Sequence, residues 1–104
     1  MKIYRQGDVN LVPVKALPAG AEKVKPDNGR VILAYGEVTG HAHALPVKAA
    51  TQYKVGSSGK EYVQIKTPTA LTHEEHAPVN LEPGLYEKRM AREYTPQGIR
   101  QVID

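Results

Sequence analysis

The sequence predicts an all-β domain, a single small barrel or sandwich of about 7–9 short antiparallel strands with little or no helix. Three observations carry that expectation. Nine Gly and eight Pro interrupt the 104 residues at short intervals. The stretches between them are rich in Val, Ile and Tyr, which suit a pleated, half-buried surface. Around Gly56–Gly59, apolar and polar residues alternate with the two-residue period of a strand. The length is that of one domain, taken as residues 1–104, with no linker, internal repeat or low-complexity tract.

The elements follow in chain order. A turn at Gln6-Gly7-Asp8 leads into a strand over Val9–Val14, whose Pro13 implies an edge or a bulge because it has no N–H to donate. Leu17-Pro18-Ala19-Gly20 closes that strand. Pro26-Asp27-Asn28-Gly29 is a strong reversal, since Asn and Gly tolerate the left-handed conformations of a tight hairpin loop. Arg30–Tyr35 then runs as a strand toward the first histidines. Gly56-Ser57-Ser58-Gly59 joins Thr51–Val55 to Glu61–Lys66, with Tyr53, Val55, Val63 and Ile65 as the apolar set of the clearest hairpin in the chain. Glu82-Pro83-Gly84 has the residues of a type II turn. It feeds Leu85–Tyr94, where Tyr86, Met90 and Tyr94 fit either period; a strand is the preferred reading. Thr95-Pro96-Gln97-Gly98 turns into a last strand over Ile99–Ile103.

Composition excludes several function classes. There is no Cys, hence no disulfide framework and no thiolate metal site, which leaves histidine as the borderline-soft ligand. No apolar run resembles a signal peptide or a membrane span, so a cytoplasmic protein without membrane association is expected. The net charge of +3 is scattered rather than gathered into a basic run, which argues against nucleic acid as a partner. With six Tyr and no Phe or Trp, the core falls to Val, Ile, Leu and Ala. Tyr53, Tyr62, Tyr86 and Tyr94 are read as its margin, and Lys88, Arg89 and Arg92 as a solvated rim.

The chemistry lies in the histidines. All four fall in two short motifs, Gly40-His41-Ala42-His43 and His73-Glu74-Glu75-His76. His41 and His43 are two apart, so a strand offers both imidazoles on one face. His73 and His76 are three apart, which demands a bend, and Pro78 just beyond supports one. Together they predict one divalent transition-metal site, with zinc favoured and iron, manganese or nickel as alternatives. A His-x-His pair alone would more simply be two exposed or hydrogen-bonded histidines, and the whole quartet has a plain alternative as a structural or pH-responsive cluster. Glu74 and Glu75 could add a ligand, orient a histidine or act as general base, with Glu75 named for the catalytic role; solvated turn residues are the plain alternative. The histidines are three apart in His73-Glu74-Glu75-His76, so the helical metalloprotease pattern, which needs four, is rejected. Gly36 and Gly40 do not form a phosphate loop, because no Lys-Ser/Thr follows.

Two segments resemble the cupins, a family of small metal-binding β-barrels. Gly36-Glu37-Val38-Thr39-Gly40-His41-Ala42-His43 looks like the first cupin motif, and His76-Ala77-Pro78-Val79-Asn80 is similar to the end of the second. The usual glutamate after His-x-His is missing, with Leu45-Pro46-Val47-Lys48 in its place, and the stretch between motifs is long. The resemblance implies His41, His43 and His76 as ligands in a barrel mouth, with His73 or Glu75 as the fourth. The expected function is Lewis-acid or metal-water chemistry on a small-molecule substrate. The competing expectation is a non-enzymatic module whose metal ties strands together, with a homo-oligomer as one setting for it.

Overall fold

The computed structural model describes residues 2–36 and 40–91. Ten strands are present among them: β1 (Tyr4–Gln6), β2 (Val9–Pro13), β3 (Ala21–Lys23), β4 (Arg30–Tyr35), β5 (Ala42–Pro46), β6 (Ala50–Val55), β7 (Glu61–Ile65), β8 (Thr69–Leu71), β9 (Val79–Leu81) and β10 (Gly84–Met90). That exceeds the expected range because β1, β3, β8 and β9 have only three residues each, too few to show periodicity in a sequence. The expected strand over Ile99–Ile103 and the end of the Leu85–Tyr94 segment lie outside the described residues. No helix among the described residues is long and apolar enough to cross a membrane.

Six strands form one antiparallel sheet in the order β1-β2-β10-β7-β6-β3, and β4-β5 and β8-β9 form two-stranded sheets. The two small sheets are joined where Ala44 and Thr72 exchange backbone hydrogen bonds of 2.9 and 3.0 Å. One apolar cluster takes Val9, Leu11, Val63 and Ile65 from the large sheet and Val31, Leu33, Leu45, Leu71 and Leu81 from the small ones. The arrangement is therefore sandwich-like, and the strands do not close into a barrel among the described residues.

Local sequence accounts for several elements. Asn28 and Gly29 both have positive φ, 55° and 76°, between Asp27 and Arg30, which bond each other in both directions. This is the two-residue reversal that Asn-Gly favours. The ambiguity over Leu85–Tyr94 resolves as strand, because β10 pairs with β2 on one side and β7 on the other. Its entry is not a type II turn: Gly84 has φ 155°, far from the value of about 80° that turn requires.

Three expectations need correction. Pro13 lies in an interior strand, not an edge. It is tolerated there because β1 pairs only with Val9–Leu11, so among the described residues β2 has no neighbour on that side at Pro13, while the next residue, Val14, donates to Leu85 O at 3.0 Å. In β6 the buried residues are Ala50 and Gln52, opposite Ile65 and Val63, together with Val55 as expected, while Tyr53 is only partly buried. Buried Gln52 is accommodated because its Nε2 donates to Glu61 Oε1 at 3.0 Å. Lys88 is not on a solvated rim. Its Nζ, on a side chain 13% exposed, meets Glu61 at 2.9 Å and donates to Leu33 O at 2.9 Å.

That last bond bears on the site. The β4–β5 register shifts between Ile32, paired with Ala44, and Ala34, paired with His43, so Leu33 is the extra residue of a bulge. Bulges leave a residue outside the ladder and re-aim its neighbours. Lys88 takes the bulged carbonyl, and His43 comes into register with Ala34.

Candidate functional site

Three turns of chain converge on one cavity of about 280 Å³. The β1–β2 turn contributes Gly7 and Asp8, the β4–β5 hairpin contributes Ala34, Tyr35, Gly36, His41 and His43, and the loop between β8 and β9 contributes His73, Glu75 and His76; Met90 at the end of β10 completes the wall. All four histidines predicted from the sequence line this space, and so does Glu75. His41 directly precedes β5 and His43 lies within it, while residues 72–78 run as an irregular loop that brings His73 and His76 back toward them.

His73 is the hub. Its ring centroid lies 4.4 Å from that of His43, 4.6 Å from His76 and 5.7 Å from His41, and His43 and His76 are 5.8 Å apart. The loop shapes its ring locally, since Glu75 N–H donates to His73 Nδ1 at 3.0 Å. Glu75 Oε2 lies 3.6 Å from His41 Nδ1 with its side chain largely exposed. Glu74 reaches the first residue of β5. Its Oε1 accepts Ala42 N–H at 2.8 Å, and that bond, more than any other influence, holds the carboxyl below its ordinary pKa. Ligand atoms of His41, His73 and Glu74 lie within 4.8 Å of one another, close enough to share one ion.

His43 is the buried member, 5% exposed. Burial pushes its pKa from 6.5 down to about 4; the neighbouring His73 and His76 add to the depression, and Asp8 and Glu74 oppose it. Its ring is therefore neutral at physiological pH, the form that offers a lone pair. Nδ1 of His43 lies 2.9 Å from Gln6 Oε1, and Gln6 Nε2 donates to Leu71 O and Ala77 O, both at 2.9 Å.

Two glycines make room for these rings. A Cβ on Gly7 would lie 2.7 Å from His76 Nε2 and 3.2 Å from His43 Cε1, and one on Gly36 would lie 3.3 Å from His73 Nε2. At the mouth, exposed Tyr35 donates its hydroxyl proton to Asp27 Oδ2.

Gln6, Gly7, Asp8 and Met90 are the site residues that sequence reasoning passes over. The signal that could point to them is that Gln6-Gly7-Asp8 makes a turn, and turns carry function more often than strand interiors do. No curated protein and no solved structure matches this chain. A family described as "Domain of unknown function (DUF8820)" matches residues 5–91, a span that holds every residue of the cavity, and the chain belongs to that family.

Proposed function

We propose that this domain binds one divalent transition-metal ion, zinc by preference, among His41, His43, His73 and His76, and presents it to a small molecule in the adjoining cavity. The observation that carries this reading is the spacing of the rings. An imidazole nitrogen about 2.1 Å from zinc puts its ring centroid about 3.2 Å from the ion, so two ligands at tetrahedral or square angles have centroids about 4.5–5.3 Å apart. The His73–His76 separation of 4.6 Å falls in that range, and those of 4.4, 5.7 and 5.8 Å lie within about 0.5 Å of it. Glu74 supplies an alternative oxygen ligand next to His41 and His73. The partial resemblance of the histidine motifs to those of cupins favours the same chemistry.

A bound ion would supply Lewis-acid polarisation of a carbonyl or of water. The chain's own residues would do the rest. Glu75, beside His41 at the cavity, accepts a proton from an entering nucleophile. Ala34 and Met90 give part of the wall an apolar character that would hold the remainder of the substrate.

A second reading is favoured by where the site sits. Its histidines come from the β4–β5 hairpin and the β8–β9 loop, so an ion there would also tie the two small sheets together. Small domains gain folding free energy from such a link. The test begins with elemental analysis of untagged protein after reconstitution with zinc, cobalt, iron, manganese or nickel. About one equivalent is expected, and a marked loss in His73→Ala and His43→Ala; less than about a tenth of an equivalent of any metal sinks both readings. Exchangeable water in the spectrum of the cobalt form then favours the open, catalytic reading, and a closed four-histidine shell favours the staple.

A further inference from the structure

We infer that Gln6 is the positioning residue of this site: its amide oxygen keeps the proton of His43 on Nδ1, leaving Nε2 as the ring's lone pair. Its amide nitrogen at the same time brackets the loop that carries His73 and His76.

The inference follows from hydrogen-bond valence. Gln6 is 3% exposed, so each of its polar atoms needs a partner within the protein. Its Nε2 has two protons, and its neighbours Leu71 O and Ala77 O can only accept. Turning the amide over would set its oxygen against two carbonyl oxygens, so the orientation follows from the chemistry. Oε1 therefore faces His43 Nδ1 at 2.9 Å, and since Oε1 can only accept, Nδ1 is the donor. The proton on Nδ1 leaves Nε2 as the basic nitrogen, as a histidine that ligates through Nε2 requires.

The neighbouring ring has the opposite wiring. In the metal-free protein Glu75 N–H donates into His73 Nδ1, so neutral His73 carries its proton on Nε2, and an ion taken by His73 must displace the Glu75 N–H from Nδ1. Two imidazoles with centroids 4.4 Å apart thus hold opposite tautomers. The carbonyls that Gln6 holds flank residues 72–76, one at the end of β8 and one just past His76. One side chain on an edge strand therefore sets both the ring of His43 and the two ends of the loop opposite.

The experiment reads tautomers directly, by long-range proton–nitrogen correlation of the ¹⁵N-labelled, metal-free protein at neutral pH. His43 is expected with protonated Nδ1 and bare Nε2, and His73 with the reverse. Gln6→Glu keeps an acceptor for Nδ1–H but loses both donors, so it should preserve the His43 tautomer while backbone amides across 72–77 shift. Gln6→Met removes both functions and should move His43 toward the Nε2–H form. A wild-type His43 protonated on Nε2 overturns the inference without any variant, and so does an unchanged tautomer in Gln6→Met. The metal arm rests on the proposed function: zinc affinity of Gln6→Met should fall about 10–100-fold. Tautomers as expected with no zinc bound by wild type would sink the metal reading and leave the positioning role standing. Normal zinc affinity in Gln6→Met would overturn the role at the metal.

Discussion

Replacing Gly7 by alanine separates two costs that the structure combines at one residue. Gly7 has φ 57°, in the left-handed region, where a side chain costs about 1–2 kcal/mol. Its new Cβ would also lie 2.7 Å from His76 Nε2, where ordinary contact begins at 3.4 Å. His76 is exposed, so its ring can retreat at little cost in stability, but the retreat displaces a proposed ligand atom. Gly29 is the control, because it has φ 76° and a Cβ placed on it would meet nothing within 4 Å. Both variants should lose about 1–2 kcal/mol in urea melts, or roughly 4–16 °C in Tm for a domain of this size. Only Gly7→Ala should shift the ring resonances of His76 and His43 and weaken zinc binding by about tenfold or more. If the two variants prove alike in ring resonances and zinc affinity, the close approach of the β1–β2 turn to the histidines is refuted.

Two further outcomes follow from other parts of the molecule. His43 has a folded pKa of about 4 against 6.5 unfolded, so between those values the unfolded chain binds more protons and stability rises with pH. The metal-free protein should hold this contribution, about 3 kcal/mol, above pH 6.5 and lose it progressively toward pH 4; urea melts across that window check it, and a His43→Gln protein with an unchanged profile would contradict the assignment. Lys88→Met keeps the buried stem but leaves Leu33 O and Glu61 without the ammonium, which should cost about 2–4 kcal/mol; a loss below about 0.5 kcal/mol would show that the bulge does not depend on this tether.

What is legible in the sequence is local. Asn28-Gly29 and the Gly56–Gly59 hairpin are readable because their turn chemistry is complete within a few residues. β10 is ambiguous because its residues suit a helix as well, and the choice is made by β2 and β7, strands that its own periodicity says nothing about. The inward parity of β6 escapes the sequence for the same reason. Gln52 is accommodated inward by Glu61, which is itself paired with Lys88 on a third strand, a polar cluster that no periodicity reveals.

The candidate site divides along the same line. The histidines announce themselves, since a residue type used four times and placed in two short motifs needs no fold to be noticed. Their spacing suits a strand for His41-Ala42-His43, of which Ala42 and His43 lie in β5 and His41 just before it, and demands a bend for the second pair. What spacing cannot contain is the wiring of each ring. The proton on His43 is directed by Gln6, 37 residues earlier, which in turn is held by carbonyls 65 and 71 residues beyond it. A glutamine in a three-residue edge strand looks like any solvated polar residue until the fold encloses it. The bare nitrogen of His43, and the room left for His76 by Gly7, are therefore properties of tertiary structure. They are also where a substitution would alter metal chemistry while leaving every histidine in place, which makes Gln6 and Gly7 sharper probes of function than the histidines themselves.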